Sequence, residues 1–215
     1  MNSILNIPGK EVAVIVAHPD DEILWCGGLI LKYPKHNWYI ISLCRRSDPD
    51  RAPKFYKVLE LLKAQGDIGD MDDGPEQFSL EEEEVKRIIL ELLPAQSFDL
   101  VITHDPAGEY TRHKRHEETG TAVIKLWNIN AIRTIELWTF AYEDGGKKYY
   151  PKAIESASIL ESLPEAIWEM KFKLITEIYG FEPGSFEAET TPRTEAFWRF
   201  KKPEEGLKWL KRSQA

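Results

Sequence analysis

The chain reads VAVIVAHPDDE at residues 12–22, six apolar residues followed by a histidine, a proline and three carboxylates. A short apolar run rich in β-branched residues is typical of a strand that is covered on both faces in a parallel sheet. The next segment, residues 23–33, is mostly apolar and predicts a helix, whose positive N-terminal end suits the acidic cluster before it. We therefore expect residues 18–21 in a turn between a strand and a helix.

The same alternation of strand and helix continues along the chain. Further strands are predicted at residues 38–44, 99–103 and 134–140, and further helices at 55–64, 80–93, 120–127 and 163–179. Because parallel strands need crossover connections, which are usually helices, this alternation predicts a three-layer α/β/α, Rossmann-like fold with a mainly parallel sheet. The length fits a single domain over residues 1–215.

Composition and charge narrow the classes of partner. Apolar residues make up 42% of the chain and charged residues 30%, as in soluble globular proteins. The net charge of -8 opposes association with phosphate backbones, so no nucleic-acid partner is expected. Without an N-terminal signal pattern or an apolar run of membrane-spanning length, we expect a cytoplasmic protein with no membrane span. A homo-oligomer is compatible with the sequence, although no pattern identifies an interface.

Two polar clusters, residues 18–22 and 104–116, each follow a predicted strand. In open α/β sheets, ligands bind beyond the carboxyl ends of the strands, so the two clusters are candidates for one shared site. The density of carboxylates in the first cluster exceeds what a helix N-terminus explains, and crowded like charges favour a bound cation. We therefore expect the two clusters to hold a metal ion between them.

The residue types in these clusters suit zinc. Zinc accepts imidazole nitrogen and carboxylate oxygen, and a catalytic site uses three protein ligands plus a water. His18 and Asp21 can supply two ligands, and His113 or His116, three residues apart after another strand, can supply the third. Iron or another divalent ion also fits two histidines and one aspartate.

The sequence AHPDDE at residues 17–22, continued by Gly27 and Gly28, resembles the signature of the LmbE-like or PIG-L deacetylases, which are zinc-dependent N-deacetylases. The resemblance covers most of the chain, with further landmarks at Thr103-His104, Gly108-Glu109-Tyr110, His113-Lys114-Arg115-His116 and Glu195-Ala196-Phe197. It implies that His18, Asp21 and His116 bind the metal and that Asp20 is the general base.

Elementary chemistry agrees with these implied roles. A water on zinc has a pKa near 7, and a neighbouring carboxylate such as Asp20 can remove its proton at neutral pH. His113 is the second candidate catalytic residue, because a protonated imidazole can stabilise the oxyanion or protonate the departing amine. The other possibility is that His113 is only a structural neighbour of the metal site.

Other positions have a functional and a structural interpretation. Arg51 can hydrogen-bond sugar hydroxyls, a carboxylate or a phosphate, or it can form a surface ion pair. Glu22 can orient His18 or simply favour the start of the following helix. Tyr110 lies one residue farther from the second motif than the tyrosine of similar proteins. The chain also lacks the glycine-glutamate pair that similar proteins carry near Arg51, and it has basic residues within the second motif.

The residues predict a zinc-dependent hydrolase that acts on a linear amide, and the resemblance implies that it removes the N-acetyl group from an amino sugar or its conjugate. One alternative keeps the metal and changes the substrate, giving an amidase or esterase for another small acylated molecule. The other is a noncatalytic sugar-binding module with the same fold. The absence of a Gly-x-Gly-x-x-Gly turn after the first strand argues against a dinucleotide site.

Overall fold

The structure is a computed structural model that describes residues 4–111 and 113–213. Its strands are β1 (Glu11–Val16), β2 (Asn37–Ser42), β3 (Gln65–Ile68), β4 (Ser97–Thr103), β5 (Arg133–Phe140), β6 (Tyr142–Glu143), β7 (Lys152–Ala153), β8 (Ile159–Ser162) and β9 (Thr194–Phe200). Its α-helices are α1 (Asp21–Lys32), α2 (Arg51–Leu62), α3 (Glu82–Leu92), α4 (Lys114–Asn128), α5 (Glu165–Lys173), α6 (Phe186–Thr190) and α7 (Pro203–Ser213). A 3-10 turn, Ile4–Asn6, precedes β1, and a π-helical turn, Leu174–Ile178, continues α5.

Within these residues the main sheet has seven strands in the order β3-β2-β1-β4-β5-β9-β8. The strands from β3 to β5 in this order are parallel, whereas β9 runs antiparallel to both β5 and β8. Helices cover both faces, so the predicted three-layer α/β fold with a mainly parallel sheet is confirmed. In the described ranges no helix has both the length and the apolar composition that a membrane crossing requires.

The central strand β1 is buried on both faces. Val12, Val14 and Val16 belong to one apolar cluster, and Ala13 and Ile15 belong to a second cluster on the other face of the sheet. Because both sides of the strand are covered, every one of these residues must be apolar, and the strand lacks the polar alternation of a solvent-facing sheet. This burial explains why the apolar run was recognisable in the sequence.

The strand order creates a crevice beyond the carboxyl end of β1. The chain passes from β1 outward through β2 to β3 and then returns to β4 on the other side of β1. Ligands bind at such a reversal of strand order in open α/β sheets. The register pairs Ile15 with Thr103, so the turns that follow β1 and β4 begin side by side. Both polar clusters therefore start at the same point of the fold.

Several elements were not predicted from the sequence. β3 contains Gly66 and Asp67, and it is short and only partly buried. A Cβ at Gly66 would approach the carbonyl oxygen of Ile40 to 2.0 Å, so the glycine reflects close strand contact rather than a loop. The edge strand β8, its neighbour β9 and α7 were also missed. The predicted helix at 120–127 begins earlier, at Lys114.

A buried ion pair between Lys171 and Glu195 joins α1, α5 and β9. Lys171 on α5 and Glu195 on β9 are fully buried, with 2.7 Å between Lys171 Nζ and Glu195 Oε1. The same carboxylate accepts hydrogen bonds from the backbone N–H groups of Gly28 and Leu29 on α1, each at 2.7 Å. A buried carboxylate is tolerated only when it is paired and hydrogen-bonded. Glu195 therefore fixes α1 and α5 against the antiparallel side of the sheet.

We expect Lys171→Met to destabilise the fold, because it leaves Glu195 with backbone donors alone. Breaking a buried ion pair by removing one partner costs about 3–5 kcal/mol, and the remaining N–H donors favour the lower end of that range. Urea unfolding measures the change in the free energy of unfolding. The control Lys173→Met, at an exposed position of the same helix, should stay within about 0.5 kcal/mol of the wild type. Equal stability of the two variants would rule out a stabilising role for the pair.

Candidate metal centre

His18, Asp21 and His116 meet in the crevice beyond β1 and β4. His18 Nδ1 lies 3.2 Å from Asp21 Oδ2, and His116 Nε2 lies 3.3 Å from each of these two atoms. Ligand atoms about 2.0–2.1 Å from an ion in a tetrahedral shell are about 3.4 Å apart. The three atoms therefore have the spacing that a single tetrahedral ion requires, and their types are those that zinc accepts.

Two neighbouring histidines enlarge the set of available donors. In the described residues, His18, His113 and His116 form one group whose ligand atoms lie within 4.8 Å of one another, and Asp21, His104 and His116 form another. His113 Nδ1 is buried and has no hydrogen-bond partner, an unusual state for a polar atom. The donor set fits a centre that is completed by a cation, and the unpaired Nδ1 of His113 is available to a bound ion or substrate.

His104 lies beside these three atoms as a further imidazole of the centre. Its Nε2 accepts a hydrogen bond from the backbone N–H of Ala17 at 3.0 Å and lies 3.4 Å from Asp21 Oδ2. Its ring stacks on that of His116, with 3.9 Å between centroids. The bond from Ala17 occupies the Nε2 lone pair, so His104 is less suited than His18 to hold an ion. The sequence alone predicted no role for His104.

Glu109 orients both of these imidazoles. Its Oε2 lies 2.8 Å from His104 Nδ1 and 2.6 Å from His116 Nδ1, and its Oε1 accepts the backbone N–H of Asp105. Burial opposes ionisation of Glu109, but His104 and His116 outweigh it and lower the carboxyl's pKa to about 2. The carboxylate thus accepts the Nδ1 protons and leaves His116 Nε2 free to bind an ion, as carboxylates beside metal-binding histidines do.

Local features of α4 bring His116 to this point. His113 is the N-terminal cap residue of the helix and His116 lies in its first turn. A Cβ at Gly120, one turn further along α4, would lie 2.4 Å from the carbonyl oxygen of His104. The glycine therefore lets the helix pack directly on the turn after β4. This close approach makes the stacking of His104 and His116 possible.

Asp21 is held by contacts to both of its carboxylate oxygens. Oδ1 accepts the indole N–H of Trp25 at 3.0 Å, and Oδ2 accepts the backbone N–H of His18 at 2.9 Å. Burial raises the pKa of this carboxyl, but His116 and His104 lower it well below its usual value. Trp25 is fully buried, so it packs the helix and orients Asp21.

Asp20 adopts a strained backbone conformation beside these atoms. Its φ of 120° lies in a region that residues with a side chain rarely occupy, and such strain persists where surrounding contacts hold it. Its N–H donates to Glu22 Oε2 at 3.0 Å, and its Oδ2 accepts a hydrogen bond from Arg51 Nη1 at 3.1 Å. Burial and Asp21 raise the pKa of the Asp20 carboxyl, and Arg51 opposes that rise.

Glu22 supports the backbone of Asp20. The sequence had suggested that Glu22 orients His18 or favours the start of the helix, and it gave no indication of this contact. Glu22 is fully buried, and it accepts the backbone N–H of Asp20 and the hydroxyl of Tyr179, which follows the π-helical turn. Burial raises the pKa of Glu22 to about 7, while the hydrogen bond from Tyr179 acts in the opposite direction. The carboxyl therefore links the strained turn to a segment far along the chain.

A cavity of about 230 Å³ opens onto the candidate centre. Asp20, Arg51, Tyr110 and His113 all line it. The guanidinium of Arg51 lies 4.3 Å from the centroid of the Phe181 ring and bonds Asp20, so its ion pair faces the cavity. The Tyr110 ring meets the ring of His113 edge to face at a centroid distance of 5.9 Å. Arg51 and Tyr110, for which the sequence left contact with a substrate undecided, therefore both line this cavity.

The pKa of His113 differs from the sequence-based expectation of a protonated ring. Burial, reinforced by the neighbouring His116 and His18, lowers the pKa of His113 to about 3. Its ring lies 4.5 Å from that of His116 and 4.6 Å from that of His18, measured between centroids. Burial therefore favours the neutral imidazole, which can donate through its single N–H.

An acidic loop after β3 also reaches the centre and was not predicted to do so. Asp73 Oδ1 lies 3.3 Å from His18 Nε2, and its Oδ2 forms an ion pair with Arg45. Arg115 holds this loop, because its fully buried guanidinium bonds the carbonyl oxygens of Asp72 and Phe78. The basic residue in the second motif therefore fixes the loop that brings a carboxylate to His18.

Comparisons with known proteins agree with the fold. No family model matches the chain. An uncharacterised protein, L374 of Acanthamoeba polyphaga mimivirus, is 25% identical over 178 residues, which is 75% of each chain. The conserved protein TT1542 from Thermus thermophilus is similar in structure, with a TM-score of 0.63, 16% identity and coverage of 88% of this chain and 94% of that one.

Two other similar structures are described as deacetylases. A deacetylase in the biosynthesis pathway of teicoplanin has a TM-score of 0.54 and 16% identity, covering 79% of this chain and 83% of its own. The A40926 pseudoaglycone deacetylase Dbv21 has a TM-score of 0.59 and 14% identity, covering 89% and 98%. At these identities the likeness establishes the shared fold. The chain therefore has the fold of proteins that include deacetylases.

We expect Glu109→Gln to lower the affinity for Zn²⁺ by about 10–100-fold, because the amide lacks the negative charge, and if its oxygen accepts the two Nδ1 protons its NH2 group faces the N–H of Asp105. Competition against a chelating dye measures that affinity, and circular dichroism checks that the variant is folded. The control Glu84→Gln changes an exposed residue of α3 and should bind Zn²⁺ as the wild type does. A folded Glu109→Gln protein with unchanged affinity would contradict the orienting role.

Proposed function

We propose that the chain is a zinc-dependent N-deacetylase that hydrolyses the acetamido group of an N-acetylated amino sugar or its conjugate. The observation that carries this proposal is the spacing of His18 Nδ1, Asp21 Oδ2 and His116 Nε2, with the Asp20 carboxylate at the same cavity. The resemblance of these motifs to LmbE-like enzymes and the deacetylases among the structural neighbours support it.

In this proposal His18, Asp21 and His116 hold the ion. Bound zinc supplies a Lewis acid that lowers the pKa of a water and polarises the amide carbonyl. Asp20 is the general base that accepts the proton of the attacking water. Arg51 favours the ionised form of Asp20, which that step requires. A carboxylate whose pKa is raised by burial is also a better base than a solvent-exposed one.

His113 acts as a neutral hydrogen-bond donor rather than as an acid. Its lowered pKa leaves one N–H on the ring, which can donate to the oxygen of the carbonyl as negative charge develops there. The departing amine then takes its proton from Asp20, which received one from water. This sequence returns Asp20 to the carboxylate and balances the protons of the hydrolysis.

The polar part of the cavity supports a hydroxylated substrate. Arg51 and Asp73 line it together with Arg45, so charged donors and acceptors surround the proposed reacting centre. Charged groups of this kind form strong hydrogen bonds to hydroxyl groups. We therefore assign the sugar of the substrate to this side of the cavity, with Arg51 as a binding residue. An amide or ester of another small polar molecule is the alternative substrate.

We expect Asp20→Asn to lower kcat for acetate release by about 10²–10⁴-fold while zinc stays bound at one ion per chain. The experiment compares metal content with acetate released from a panel of N-acetylated amino sugars. The control Asp50→Asn, an exposed aspartate at the start of α2, should keep wild-type rates.

His116→Ala should lose the metal as well as activity. A wild-type protein that binds no metal would disprove the site, and bound metal without acetate release would point to another acyl group or to a sugar-binding module.

We expect Tyr179→Phe to lower kcat by about 10–100-fold, because Glu22 loses a donor and holds the strained backbone of Asp20 less firmly. The affinity for Zn²⁺ and the KM should change by less than about twofold, since Tyr179 touches neither proposed ligands nor the cavity. Glu22→Gln should retain more activity than Glu22→Ala, because the amide oxygen can still accept the N–H of Asp20. The control Tyr56→Phe removes an exposed hydroxyl. Wild-type kcat in Tyr179→Phe would exclude the positioning role.

A further inference from the structure

A second cavity lies beside the one that opens onto the candidate centre. It has a volume of about 440 Å³, and the rings of Tyr110, Tyr149, Tyr150 and Phe186 line it. We call this cavity the aromatic groove. Tyr149, Tyr150 and Phe186 are partly exposed, with 40%, 51% and 37% of their surface accessible to solvent. Exposed aromatic rings gathered in one cleft indicate a binding surface for an apolar group.

The aromatic groove is continuous with the candidate centre. Tyr110 and Phe186 line both cavities, and their ring centroids are 5.0 Å apart. Phe186 also lies next to Tyr150 in the groove, with 6.0 Å between their ring centroids. On the other side, Tyr110 contacts His113 and lies 5.4 Å from the ring of His116. A chain of ring contacts therefore leads from the proposed reacting atoms into the groove.

Thr111, Asp144 and Tyr149 line the groove and have partners within the protein, and Lys147 and Lys148 also line it. Asp144 accepts hydrogen bonds from the N–H and the hydroxyl of Thr111 and from the N–H of Gly146. The hydroxyl of Tyr149 donates to Glu143 at 2.9 Å. These bonds fix the loop that carries Tyr149 and Tyr150, and they leave mainly ring faces towards the groove. A lining of four aromatic rings suits a flexible apolar chain, which buries its hydrocarbon against them.

The two cavities therefore differ in polarity around one centre. Arg51 contacts Asp20 and Asp73 contacts His18, whereas the aromatic groove reaches the centre through Tyr110. An N-acylated amino sugar has the same division, with hydroxyls on the amine side of the amide and hydrocarbon on the acyl side. We propose that the aromatic groove binds the acyl side of the substrate, so that the site takes N-acylated amino sugars with chains longer than acetyl in addition to the N-acetylated ones. This assignment rests on the proposed amide hydrolysis.

Binding to zinc-loaded Asp20→Asn protein tests the groove without requiring turnover. Calorimetry compares N-hexanoylglucosamine with N-acetylglucosamine, which differ by four methylene groups. Full burial gives about fourfold in affinity per methylene, and because the groove is open on one side we expect at least about tenfold in total. Tyr150→Ser in the same protein should reduce the affinity ratio towards one. The matched control Tyr56→Ser, an exposed tyrosine of α2, should leave the ratio unchanged.

Equal affinities for the two sugars, or a ratio that Tyr150→Ser does not alter, would overturn the assignment. Tighter binding of 4-nitrophenyl N-acetylglucosaminide without any gain from the hexanoyl chain would also overturn it, because the groove would then take the substituent of the sugar. Release of acetate and hexanoate by the wild-type enzyme is measured separately. A preference for hexanoyl binding with no release of either acid would refute the hydrolysis and leave the groove assigned.

Discussion

The carboxylate of Glu109, buried between two imidazoles, is the interaction that fixes the geometry of the candidate centre. A carboxylate without solvent is stable only if donors surround it, and His104, His116 and the backbone of Asp105 provide them. The same bonds place a proton on each Nδ1, so that His116 directs Nε2 at Asp21. One buried charge thus selects the tautomer, the ring orientation and the position of the first turn of α4. The close packing at Gly120 brings α4 near enough to the turn after β4 for these bonds to form.

The strained backbone of Asp20, like the buried charge of Glu109, is unfavourable by itself and is stabilised by neighbouring contacts. A positive φ at a residue with a side chain costs of order 1–3 kcal/mol, so it persists only where other contacts over-determine the backbone. Glu22 accepts a hydrogen bond from the N–H of Asp20 and another from the hydroxyl of Tyr179. Arg51 donates a hydrogen bond to the side chain of Asp20. Buried packing therefore offsets a conformation that the turn would not adopt alone, and it directs the Asp20 carboxylate into the cavity.

The sequence predicted the layers of the fold and the position of the site for a physical reason. β1 is buried on both faces, so its residues had to be apolar, and the polar residues at its end stood out. β3 and β8 were missed because a glycine and exposed positions weaken their pattern. Glu109 and His104 had no assigned role, since only the approach of α4 to β4 brings them together. The contact of Glu22 with Tyr179 spans 157 positions, and local sequence carries no signal for such pairing.

The low sequence identity to proteins of the same fold is consistent with a fold that depends on buried apolar residues and a site that depends on particular polar ones. Residues that a sheet buries can exchange among apolar types, so 14–16% identity preserves the layers. The surroundings of the centre depend on a basic residue of the second motif. Arg115 stands in the second motif, and its buried guanidinium holds the loop that carries Asp73 to His18. Because that loop forms one wall of the cavity, a basic residue beside His116 shapes the substrate side without altering the proposed ligands. The proposed metal ligand and the residue that shapes the cavity therefore lie side by side in the same short motif.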